Sequence, residues 1–74
     1  MSDKDVTKEQ KLALIASRIR GVKIDKFNAE LNIIEQSALQ SPIPEIVESA
    51  NKIIDNADDQ IAALEAHYTS VNAE

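Results

Sequence analysis

Apolar positions recur at alternating steps of four and three along the C-terminal part of the chain: Ile43, Val47, Ala50, Ile54, Ala57, Ile61, Leu64, Tyr68 and Val71. The pattern runs without a slip, and that spacing keeps one narrow apolar line facing a single partner on a helix. With Ile43 at d, the a positions are Val47, Ile54, Ile61 and Tyr68. The first half of this stretch carries extra apolar residues at Ile46 and Ile53, which widen the stripe, whereas Gln60 stands at the equivalent place further on. Upstream, Leu12, Ile15, Ala16, Ile19 and Val22 share one helical face. A second set, Ile24, Phe27, Leu31, Ile34 and Ala38, obeys the same rule but points about 100° away from the first. Gly21 stands at the change of direction, where a helix bends or breaks most cheaply. One long helix that bends or rotates its contacts there, and two helices that meet there, both satisfy the pattern; the single helix is preferred, because the junction lacks Pro or Asn.

Punctuation sets the boundaries. Thr7 is followed three residues on by Gln10, which completes a capping box. Pro42 and Pro44 form the one clear breaker, with Pro44 suited to the first turn of a new helix, Glu45 and Glu48 favoured by its dipole, and Ser41 a candidate cap. The expected fold is therefore all-α, a single domain over residues 1–74. Residues 1–6 form a frayed N-terminus, a first helix spans about 7–39 with a bend near Gly21, a turn covers 40–43, and a second helix runs over about 44–70. The two form an antiparallel, coiled-coil-like hairpin. Its expected core and interface comprise the nine positions from Ile43 to Val71, together with Leu12, Ile15, Ile19, Phe27, Leu31 and Ile34.

Size and charge sharpen this picture. A chain of 74 residues buries a small fraction of its surface, and cysteine is absent, so no disulfide or thiolate metal site adds stability. Two helices cannot cover two stripes on one and a wide stripe on the other, so self-association or docking onto a larger protein assembly is expected. The net charge of −5 is uneven: residues 1–26 hold seven basic and four acidic groups, residues 27–74 one basic and nine acidic. No signal peptide and no apolar run long enough to cross a bilayer is visible, which implies a soluble protein, cytoplasmic or virion-associated.

Candidate chemistry is sparse. His67 beside the apolar line reads as a surface or interface residue. Asp55, Asp58 and Asp59 lack the glycine and alternating oxygen ligands of a calcium loop. Ser17, Ser37, Ser41, Ser49 and Ser70 have no nucleophile motif around them, and no Gly-rich phosphate loop exists. No enzymatic activity, cofactor, metal or small-molecule substrate is expected. Arg18, Arg20, Lys23 and Lys26 could meet phosphate if a turn at Gly21 made a helix-turn-helix, but the following stretch carries Asp25, Glu30 and Glu35, so nucleic acid is disfavoured. The alternative ahead of it, second to a protein–protein interaction module, is a small acidic regulator or inhibitor that mimics a nucleic-acid surface with Asp55, Asp58, Asp59 and Glu65.

The run from Thr7 to Leu12, then Ile15 to Ile19, Phe27 and Glu30-Leu31, with the closing Ile61-Ala62-Ala63-Leu64-Glu65, resembles small helical-hairpin proteins encoded among phage structural genes. The resemblance carries over no catalytic or ligand residue. It implies a structural or assembly role, in a virion.

Overall fold

The computed structural model describes residues 6–74. Of the stretch expected to fray, all but Val6 lies outside the described residues. Two helices, α1 (Lys8–Ser37) and α2 (Pro44–Asn72), pack along each other as a hairpin measuring 56 × 17 × 16 Å.

Local chemistry marks the start of α1 and the turn between the helices. The Thr7 Oγ1 accepts the Gln10 N–H at 3.1 Å, and the Gln10 Oε1 accepts the Thr7 N–H at 2.9 Å, so the capping box closes in both directions. α1 ends two residues earlier than the pattern suggests, at Ser37, whose hydroxyl folds back onto the Ile33 carbonyl at 2.7 Å. Pro44 takes the first turn of α2, where its missing N–H costs nothing. Ser41 does not cap it. The residue before the helix is Ile43, and its N–H is satisfied from across the turn by the Gln36 Oε1 at 2.8 Å.

Helix α1 runs unbroken through Gly21, which has no positive φ. The single-helix reading holds. The expected rotation of its contacts does not, because the face packed on α2 keeps its direction for the whole length of the helix. Leu12, Ile15, Ile19 and Val22 continue at the same spacing into Lys26, Ala29, Ile33 and Gln36, all of them buried or half-buried. The apolar line on α2 is likewise buried or half-buried from Val47 to Val71; Ile43, in the turn, is exposed.

Three ties fix how the helices lie against each other. Lys8 Nζ donates to the Glu74 carbonyl at 3.0 Å, Lys26 Nζ to Asp58 Oδ1 at 2.7 Å, and the Ile43 N–H to Gln36 at 2.8 Å. This alignment sets Leu12 level with Val71, Ile15 with Tyr68, Ile19 with Leu64 and Val22 with Ile61. Towards the turn it sets Lys26 level with Ala57, Ala29 with Ile54, Ile33 with Ala50, and Gln36 with Val47. The open end is therefore built from large side chains facing large ones. In the turn half a small residue faces a long one at three successive levels, and these alanines are, with Val71 at the open end, the most enclosed of the described residues: Ala29 is 1% exposed, Ala50 2% and Ala57 3%. An alanine is enclosed to that degree when the opposite side chain lies across it.

Candidate functional site: the outer face of helix α1

Among the described residues, the second apolar set of α1 lies away from the face that meets α2. Ile24, Phe27, Leu31 and Ile34 are 54%, 58%, 38% and 63% exposed. At the helical angle per residue they point roughly 140° from the line that meets α2. They form a line of large apolar side chains at the spacing of a packed helix face, left exposed to water. Of the residues expected in core or interface, Phe27, Leu31 and Ile34 lie here, while Leu12, Ile15 and Ile19 lie against α2 with the line from Val47 to Val71. The extra stripe of α2, Ile46 and Ile53, flanks its contact line and is 37% and 44% exposed.

Charge frames this face asymmetrically. Between Lys8 and Lys23, α1 carries five basic groups and one acid; between Ile24 and Ser37 it carries one basic group and three acids. Lys26 is not available to a ligand. It sits in the contact line itself, half-buried, with its ammonium on Asp58. The hydrogen bond to Asp58, then the charge of Asp58, hold the Lys26 ammonium above its usual value against the opposing effect of desolvation; Glu30, one turn on, adds to the rise. At the open end Lys11 stands 4.0 Å from the Glu74 carboxylate.

Among the described residues no three His, Cys, Asp or Glu side chains come together as a metal site would need. His67 is exposed and Tyr68 half-buried in the contact line. Asp55, Asp58, Asp59 and Glu65 are exposed. Arg18, Arg20 and Lys23 are exposed, but the turn that a helix-turn-helix needs at Gly21 is not there. Grooves on the rod are open to solvent, such as the one lined by Arg18, Gly21, Val22, Asp25, Gln60, Ala63 and Leu64. Among the described residues no helix is long and apolar enough to cross a membrane.

Compared with family models, curated protein sequences and solved structures, the chain matches none. The reading of function therefore rests on the geometry.

The pattern alone misplaced the inner face of α1 beyond Val22. Lys26, Ala29, Ile33 and Gln36 form it, and of these Lys26 stands in sequence among the possible phosphate ligands. A signal existed: these four continue the spacing of Leu12, Ile15, Ile19 and Val22 without a slip.

Proposed function

We propose that this chain is a non-enzymatic protein–protein interaction module, a soluble structural or assembly component. The observation that supports it is the exposed line Ile24, Phe27, Leu31 and Ile34, separate from the face that holds the hairpin together. One side of α1 makes the fold, and the other is free to bind. The resemblance to phage helical-hairpin proteins suggests a virion as the setting. An acidic mimic of nucleic acid is less favoured, because Asp58 is engaged by Lys26.

The test is site-specific cross-linking in the native cell or particle. A photoreactive phenylalanine analogue placed at Phe27 should capture protein, and the same group at Asn56, an exposed position on α2, should not. Equal capture from both positions, or none from position 27, overturns the reading.

A further inference from the structure

The charge arrangement along the outer face of α1 selects an occupant. We propose that it pairs antiparallel with the same face of a second copy, with Phe27 of each chain against Ile24 of the other. This deepens the interaction reading above and rests on it.

Taken backward from Ile24, the outer line reaches Arg20 at its next step. Lys23 and Glu30 then hold equivalent places along one border of the line, seven residues apart. In a parallel pair, Arg20 would face Arg20, and the basic half of one α1 would lie along the basic half of the other. Turned end for end, the same two helices place the basic half of each beside the acidic half of its mate. With Ile24 level with Phe27 of the other copy, Arg20 comes level with Leu31, within a turn of Glu30 and Glu35. Lys23 then meets Glu30 of the second copy, and the two-fold axis repeats that meeting. A two-fold contact of this kind is self-complementary and closes, so it yields a pair and not a filament. Shifting the antiparallel helices by one heptad would bring Glu30 against Glu30, so charge fixes the alignment as well as the direction. Among the described residues, neither Lys23 nor Glu30 forms an ion pair within the chain, although Glu30 also acts on the Lys26 ammonium one turn away.

In this alignment Leu31 and Ile34 of each copy come level with Arg20 and Ser17 of the other, so the apolar meeting is confined to Ile24 and Phe27, roughly 5 Å of helix at the helical rise. The pairing is accordingly weak and dependent on concentration. Sedimentation equilibrium over a wide concentration range reads it directly, with circular dichroism to show that each variant keeps its helices. The wild type should rise from the mass of one chain to that of two. Lys23→Glu alone and Glu30→Lys alone should each weaken the pairing about tenfold, since two symmetric attractions become repulsions. Combining Lys23→Glu with Glu30→Lys should restore it. Failure of the double variant to recover overturns the antiparallel alignment, and a wild type that stays single at every concentration overturns self-pairing. In that last case, capture of a different protein by the photoreactive group at position 27 leaves the interaction reading standing, whereas no capture at all removes both.

Discussion

The Lys26 ammonium lies 2.7 Å from the Asp58 carboxylate, reaching it from a level of the contact line where an apolar residue is the rule. Lys26 stands opposite Ala57, and that alanine leaves room for its stem to lie across the seam before the charge emerges at Asp58. A polar residue at one such level costs some stability and selects one alignment over its neighbours. Slipping the helices by a heptad one way would put Asn51 in place of Asp58 beside Lys26, whereas the opposite slip would offer it Glu65. The expected outcome is that Lys26→Glu lowers the melting temperature and that adding Asp58→Lys recovers most of the loss; a double variant no better than the single one would contradict this.

The same contact fixes a pH dependence. The ammonium is held above the usual 10.5, so wherever Asp58 is ionised the pair contributes to stability up to that value. The contribution disappears as pH rises through the raised value of the folded chain. Asp58→Asn should therefore narrow the stability difference from wild type in strongly alkaline solution, and should return the Lys26 titration, followed by NMR at Nζ, toward 10.5. An unchanged Lys26 titration in that variant would show that Asp58 is not the cause.

Ala29 tests the alternation of small and large levels. It is 1% exposed and level with Ile54, so the space that a larger side chain needs is already taken. Ala29→Leu, which on paper only makes the inner line more apolar, should destabilise the hairpin by about 1–3 kcal/mol in thermal melts. A gain in stability would place Ala29 away from α2.

How much of this was legible follows from the residues themselves. The inner line of α2 could be read outright, because every step from Val47 to Val71 is apolar. That of α1 could be read only as far as Val22. Beyond it the true line passes through Lys26, Ala29 and Gln36, while a more apolar line, Ile24 to Ile34, runs beside it. Hydrophobicity ranks a residue by its own side chain. Burial of Ala29 or the stem of Lys26 is decided by what stands opposite, and that depends on the alignment of two segments far apart in sequence. The more apolar line is the outer face: the pattern points the two stripes of α1 at different neighbours, but it does not say which of them meets α2 beyond Val22.

Gly21 lies mid-helix with no positive φ, and a Cβ built there meets nothing within 4 Å. Glycine in such a place only adds freedom to the unfolded chain. Gly21→Ala should stabilise by about 0.5–1 kcal/mol, read as a higher melting temperature. A lower one would mean that α1 bends or opens at this residue.

The division of α1 into a folding face and a binding face is tested most directly by thermal melts of Ile19→Ala and Phe27→Ser at the lowest concentration that circular dichroism can follow. Ile19 is packed against α2 and Phe27 is 58% exposed. Ile19→Ala should melt well below the wild type, at a cost of about 2 kcal/mol for a partly enclosed side chain. Phe27→Ser should melt with the wild type to within about 0.5 kcal/mol, as exposed substitutions do. A loss in Phe27→Ser as large as that in Ile19→Ala would show that the outer line helps to hold the hairpin together, contradicting its role as a free surface.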